Sequence, residues 1–202
     1  MDIMSEYSFI IEIRMARPKS EEKRLHLLEA AAQAVAERGV GAPTALVAKL
    51  AGVAEGTLFR YFATKEVLLN EMYLHICEQS WDAMRHSFDP ALPLVERAQA
   101  MWDAHIDWAL AHPVWNRAAT QLAVTEILTD ATRAAEMALF PDVGMMELVH
   151  SSEVMAGHSP QYADALFISI ANTTIDFALR EPERIEAYKA SGFKAIRRMF
   201  FD

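Results

Sequence analysis

Residues 27–69 read LLEAAAQAVAERGVGAPTALVAKLAGVAEGTLFRYFATKEVLL, and this stretch decides the fold of the N-terminal part of the chain. Apolar residues recur in its first third at the spacing of one helical face, at Leu28, Ala31, Ala32 and Val35. The pattern stops at Arg38, and Gly39 suits the left-handed residue that commonly follows a helix end. The sequence therefore predicts a first helix that ends at Arg38.

Two further short helices and the start of a fourth are predicted in the same stretch. Thr44 is the predicted N-cap of the second helix. The residues of this helix that are predicted to face inward are Leu46, Val47 and Leu50. Gly52 allows a sharp turn, a third helix is predicted over residues 55–61, and Thr64 is the predicted cap of a fourth that begins at Lys65. Two short helices joined by a glycine-containing turn form a helix-turn-helix, whose second helix can enter the major groove of DNA.

The residues AGVAEGTLFRYFATKEVLL, preceded by AAAQAVAERGV, resemble the DNA-binding domain of the tetracycline-repressor (TetR) family. Small, apolar, glycine, aromatic and lysine positions agree in order and spacing over roughly residues 20–75. The resemblance implies a homodimeric transcriptional regulator, usually a repressor that a small ligand releases from a pseudo-palindromic operator. It also implies that Tyr61 and Lys65 hold backbone phosphates.

The remainder of the chain is predicted to be helical. Because it shows no Val/Ile/Thr alternation long enough for a pair of strands, the fold class is predicted to be all-α. Proline and glycine divide it into helices predicted over residues 67–86, 93–111, 114–123, 125–139, 143–156, 160–180 and 183–200. The predicted domains are an N-terminal extension at 1–19, a helix-turn-helix DNA-binding domain at 20–75, and a helical ligand-binding and dimerisation domain at 76–202.

Charge and composition agree with a protein that presents one end to DNA. The whole chain carries a net charge of −9, but residues 13–65 hold 9 Lys+Arg against 5 Asp+Glu, whereas residues 66–202 hold 10 against 20. A single cysteine, Cys77, excludes an intramolecular disulfide and favours a reducing cytoplasm. No apolar run approaches the roughly 20 residues of a membrane span. The short apolar run near the start is flanked by acids, which is not typical of a signal peptide.

Recognition of DNA is predicted to fall on the second and third helices and on the start of the fourth. The predicted DNA-binding residues are Thr44, Glu55, Gly56, Thr57, Arg60, Tyr61 and Lys65. Three of them have an alternative role. Thr44 either contacts a phosphate or only caps its helix, and Glu55 either accepts a hydrogen bond from a cytosine amine or only stabilises the helix start. Gly56 either lets the helix approach the groove closely or relieves crowding against the first helix. Leu58 and Phe62, four residues apart, are predicted to be core.

An effector site is predicted in the body, where methionine and aromatic residues are concentrated. The predicted lining residues are Met101, Trp102, His105, Trp115, Phe140, Met145 and Phe167. Ordinary core packing is the alternative for each. The acids Asp103 and Asp107 lie two residues from His105 on other faces of the helix, so no metal site and no cofactor are predicted.

A homodimer contact is predicted on the last two helices. The segment 162–179 is apolar on more than one face, so both sides need cover, and a second copy of the chain is the simplest cover for one of them. The predicted interface residues are Leu166, Ile170, Ile175, Phe177, Leu179, Phe193, Ile196 and Phe200. Two other classes compete with a ligand-responsive regulator, namely an architectural DNA binder without a ligand and a helical enzyme. No H-E-x-x-H, G-x-S-x-G or phosphate-binding glycine loop occurs, so no enzymatic activity is predicted.

Overall fold

The computed structural model describes residues 19–139, 154–155 and 157–201. Within these ranges the chain forms nine α-helices and no strand, so the predicted all-α class is confirmed. In chain order they are α1 (Lys19–Arg38), α2 (Thr44–Leu50), α3 (Glu55–Tyr61), α4 (Lys65–Met84), α5 (Leu94–Ala111), α6 (Pro113–Ala123), α7 (Asp130–Leu139), α8 (Pro160–Arg180) and α9 (Ile185–Phe200). Single 3-10 turns occur at Arg85–Ser87 and Pro182–Arg184.

Most helix boundaries follow from local sequence signals. Gly39 has a φ of +79°, and its N–H donates to the carbonyl of Val35 at 2.8 Å, which ends α1 as predicted. Thr64 caps α4 by accepting from the N–H of Val67 at 3.2 Å. Ser159 caps α8, accepting from the N–H of Tyr162 at 3.3 Å. Proline occupies the first turn of α8, where its missing N–H has no intrahelical partner to lose.

Two predicted helix starts need correction, and other predicted segments fall mostly outside the described residues. The helix predicted over 93–111 begins at Leu94, because Pro93 is its N-cap. The helix predicted over 125–139 begins only at Asp130, because the hydroxyl of Thr125 donates to the carbonyl of Leu122 at 2.7 Å and closes a turn there. The helix predicted over 143–156 falls outside the described residues except for 154–155, which form a turn, and the N-terminal extension falls outside them except for Lys19.

The first compact unit contains the described residues up to Tyr73 together with Arg117–Thr129. Its core is built from one face each of the first four helices, with Leu27, Leu28, Ala31, Val35, Val47, Leu58, Phe62, Leu68 and Met72 all buried. Leu58 and Phe62 are therefore core residues, as predicted. The segment Arg117–Thr129 adds the buried side chains of Ala118, Leu122 and Leu128 to the same unit. The predicted division at residue 75 did not include this second segment.

The second compact unit contains Leu74–Asn116 and the described residues from Asp130 onward. Its described core centres on Trp102, which is fully buried and whose indole N–H donates to the carbonyl of Lys189 at 3.0 Å. Gly192 leaves room for that indole, since a Cβ there would lie 2.5 Å from Cζ2 of Trp102. The ammonium of Lys189 lies 2.8 Å from the carboxylate of Asp107 and ties α9 to α5. These contacts fix the register of α9 against α5.

Candidate functional site

The turn between α2 and α3 is built by backbone geometry. Pro43 is the N-cap of α2 and Thr44 is its first helical residue, so the prediction of Thr44 as the N-cap is wrong. Gly52, with a φ of +66°, ends α2, and the N–H of Val53 donates to the carbonyl of Ala48 at 2.9 Å. Leu50 was predicted to face inward but is 41% exposed, because Val47 and Ala48 form the buried face of this two-turn helix.

The third helix divides into a buried and an open face. Leu58 is buried, whereas Glu55, Gly56, Phe59 and Arg60 are exposed. Thr57 and Tyr61 are half-buried at the edge of the open face. Ala54 occupies the N-cap position without a side-chain hydrogen bond, and the helix begins with the N–H of Thr57 donating to the carbonyl of Ala54 at 2.8 Å. The helix therefore has an exposed face that begins at its N-terminal end.

Gly56 has no neighbour that requires a glycine. A Cβ built on it would meet no atom within 4 Å, so the alternative that Gly56 relieves crowding against the first helix is wrong. Gly56 is not among the described glycines with positive φ, so the backbone does not require it either. The surface at Gly56 is therefore open on the side where a side chain would project.

Thr44 and Glu55, the first residues of α2 and α3, are joined by a hydrogen bond. The hydroxyl of Thr44 donates to the carboxylate of Glu55 across the turn. The hydroxyl is therefore engaged with a side chain of the next helix. This contact brings together two of the predicted DNA-binding residues at one edge of the helix-turn-helix.

Lys65 lies at the start of α4, in the same unit and half-buried. The neighbouring Glu66 stays ionised at this helix end, because its own backbone N–H and the hydroxyl of Thr64 hold the pKa of its carboxyl below the ordinary value. Lys65 also lowers that pKa by its charge. A cation and an anion are thus adjacent at the N-terminus of α4.

Two side chains that support this surface carried no signal in the sequence pattern. Arg24 of α1 pairs with Glu71 of α4 and lies over the ring of Phe62 at 5.7 Å, so it joins α1 to α4. Asn70, 8% exposed, donates to the carbonyl of Ile127 at 2.9 Å and accepts from the N–H of Thr129 at 3.0 Å. The loop after α6 is therefore held to the start of α4 by one amide side chain.

The predicted effector-site residues fall into separate groups. Trp102 and Phe167 are in contact, with ring centroids 5.7 Å apart at 86°. Trp115 belongs to a second aromatic cluster, stacked on His112, which in turn stacks on Trp108. Met101 and His105 are half-buried on α5, and Phe140 and Met145 lie outside the described residues. Desolvation lowers the pKa of His105 to about 4, so this ring is neutral at pH 7.

The predicted dimer residues split between surface and core. Ile175, Phe193, Ile196 and Phe200 are buried within a single copy of the chain, so their assignment to an interface is wrong. They are the inward residues of α8 and α9, which cover one another within the second unit. Phe177 and Leu179 are 42% and 41% exposed. Leu166, Ile170 and Phe177 line an open, mainly apolar groove of about 530 Å³ between α8 and α9.

Two kinds of feature are absent from the described part of the chain. No group of three or more His, Cys, Asp and Glu side chains there could hold a metal ion. Among the helices of that part, none combines the length and the apolar character needed to cross a membrane.

The described residues form an all-helical fold with an N-terminal helix-turn-helix whose second helix, α3, has an exposed face. Residues 27–72 match the family described as bacterial regulatory proteins, tetR family. This similarity covers the helix-turn-helix and the start of α4. It is 30% identical over 94 residues to the uncharacterized HTH-type transcriptional regulator YhgD of Bacillus subtilis (strain 168); these residues are 46% of this chain and 49% of that protein. The match thus spans about half the length of that relative.

Solved structures agree on the fold over most of the chain. A TetR family transcription regulator from Marinobacter aquaeolei VT8 is 21% identical, with a TM-score of 0.68 over 88% of this chain and 96% of that one. The TetR-like regulator LfrR from Mycobacterium smegmatis, solved in complex with proflavine, is 15% identical, with a TM-score of 0.63 over 89% and 98%. At these identities the likeness establishes the fold alone.

Proposed function

We propose that this protein is a transcriptional regulator that binds operator DNA through α2, α3 and the start of α4, and that it acts in the cytoplasm. The observation that carries the proposal is the open N-terminal face of α3, where Gly56 is unexplained by any contact within the chain. A short helix with a free polar face after a tight turn suits entry into the major groove. Thr57 and Arg60 are then positioned to meet base edges or phosphates, and Tyr61 and Lys65 to hold the backbone.

The experiment is selection of bound duplexes from a random DNA pool at fixed salt, followed by titration of the selected sequence. Lys65→Ala should weaken selected and random duplexes about equally and make the salt dependence shallower by about one unit of slope per subunit, as loss of a phosphate contact does. Lys194→Ala, which removes an exposed lysine of α9, is the matched control and should leave both unchanged. Enrichment of no sequence by the wild-type protein would refute the proposal.

We also propose that the functional form is a homodimer that contacts itself through the exposed part of α8. One reading helix of seven residues covers few base pairs, so two copies on two half-sites give a useful specificity. The exposed apolar residues Phe177 and Leu179, and the groove lined by Leu166 and Ile170, support this surface. Phe177→Glu should give a monomer in light scattering with weakened operator binding. Met137→Glu, at an equally apolar position that is 73% exposed on α7, should remain dimeric.

A small apolar or aromatic effector is the proposed release signal. Trp102 and Phe167 meet edge to face, and the neutral ring of His105 lies on the same helix as Trp102, which gives this region the character of an apolar, polarizable wall. The relative LfrR has been solved with proflavine. An effector can act only by binding the DNA-free conformation more tightly than the DNA-bound one. An effector should therefore both raise the melting temperature and release the operator, and a panel of planar aromatic and long-chain acyl compounds provides the test; a panel in which no compound does both would contradict this proposal.

A further inference from the structure

The hydrogen bond between Thr44 and Glu55 has a consequence for which base pair the protein recognises. Glu55 is the first residue of the reading helix and is exposed, so its carboxylate is placed on the surface proposed to meet a polyanion. A carboxylate there repels phosphate and lowers affinity for DNA of any sequence. Its charge in the first turn favours the helix start, and its carboxylate also accepts a hydrogen bond from the hydroxyl of another helix.

We propose that Glu55 is a specificity-determining residue that accepts a hydrogen bond from the exocyclic amine of one cytosine in each half-site. The inference rests on the proposed DNA-binding function. An ionised carboxylate can only accept hydrogen bonds. In the major groove, guanine presents acceptors, thymine presents an acceptor and a methyl group, and adenine places an acceptor beside its amine. Cytosine alone presents only a donor there, so it is the base that a carboxylate tolerates best.

Thr44 is the positioning residue for this contact. A glutamate side chain has three rotatable bonds, and their freedom is lost when it engages a base. The hydroxyl of Thr44 holds one carboxylate oxygen in place before DNA arrives, across an interval of eleven residues. Gly56, next to Glu55, adds no side chain that would keep the backbone away from the groove. The carboxylate therefore meets the base edge from a fixed position at close range.

The test is selection from a random DNA pool by the full-length wild-type protein and by variants at these two positions. The wild-type protein should enrich a C·G pair at one position of each half-site, and its replacement should weaken binding by about tenfold. Glu55→Gln should shift the preference at that position to A·T, because a carboxamide pairs with both the amine and N7 of adenine. Glu55→Ala should lose the preference. Both variants should bind random DNA about threefold more tightly per subunit, since one negative charge near phosphate is removed.

Three controls make the outcome decisive. Glu29→Gln removes an equal charge from an exposed position of α1 and should leave the selected base pairs unchanged. Thr44→Ser keeps the hydroxyl and should keep the cytosine preference, whereas Thr44→Val should weaken it. If Glu55→Gln and Glu55→Ala select the wild-type base pairs at wild-type frequencies while the wild-type protein binds its operator, Glu55 does not read a base and the inference is overturned. If Thr44→Val keeps the full preference, the positioning role of Thr44 is overturned. Failure of the wild-type protein to enrich any sequence would instead remove the proposed function on which the inference rests.

Discussion

Replacing Gly56 by alanine should separate the stability of the fold from its affinity for DNA. A Cβ at this position meets no atom within 4 Å, so the methyl group costs nothing in the free protein. Alanine is favoured over glycine in a helix by about 0.5–1 kcal/mol, and a position in the first turn gains at most that amount. The variant should therefore be as stable as the wild-type protein or more stable, with a melting temperature raised by up to about 4 °C.

Operator binding should change in the opposite direction. If the backbone at Gly56 approaches the groove, the added methyl group holds the helix away from the base edges and weakens several contacts together. We expect a loss of affinity of about tenfold, which is comparable to the effect of one mismatched base pair in the operator. Calorimetric melting and titration of the selected operator at one salt concentration measure the two effects on the same preparation.

Two other glycines serve as references for the same substitution. Gly41 also lies in open space and is not among the glycines with positive φ. Gly41→Ala should therefore change neither the melting temperature nor the operator affinity by much. Gly52→Ala places alanine at a φ of +66° and should lower stability by about 1 kcal/mol. A Gly56→Ala protein that is clearly less stable, or that binds the operator as tightly as the wild-type protein, would refute the reasoning.

Three further predictions concern the interior. Gly192→Ala should destabilise the protein by about 2–3 kcal/mol in denaturant titration, because its Cβ would lie 2.5 Å from the buried ring of Trp102; an unchanged midpoint would contradict the tight fit. Asn70→Leu should lower the free energy of unfolding by about 2 kcal/mol in the same titration, because it removes the hydrogen bonds with the carbonyl of Ile127 and the N–H of Thr129. Asn70→Asp keeps an acceptor for the N–H of Thr129 and should have an intermediate effect. His105 has a folded-state pKa of about 4, below its unfolded value of about 6.5, so its contribution to stability is complete above pH 6.5 and is lost as the pH falls to 4. Because the residue is half-buried, the loss should be about 1–2 kcal/mol, and His105→Gln should flatten this part of the pH profile; an unaltered profile would show that the ring is hydrated.

Local signals in the sequence were sufficient to predict most of the helix ends and buried faces of the helix-turn-helix. A glycine with positive φ after α1 and another after α2 end those helices whatever surrounds them, since only glycine adopts such angles without strain. The predicted span of α3 and the burial of Leu58 agree with the structure for a similar reason: a helix fixes which residues share a face. The match to the family over residues 27–72 lies within this same stretch.

Contacts between distant parts of the chain could not be predicted from local sequence signals. The apolar residues of α8 and α9 indicate burial, but the pattern does not say whether the chain itself or a second copy provides the cover. The structure assigns Ile175 and Ile196 to the core of one copy and leaves Phe177 on the surface, because α8 and α9 pack against one another and against α5. The role of Asn70 could not be predicted from the sequence, since its partners are backbone groups 57 and 59 residues away. Periodicity determined the helices and their buried faces, whereas which surfaces meet depended on packing between residues far apart in the chain.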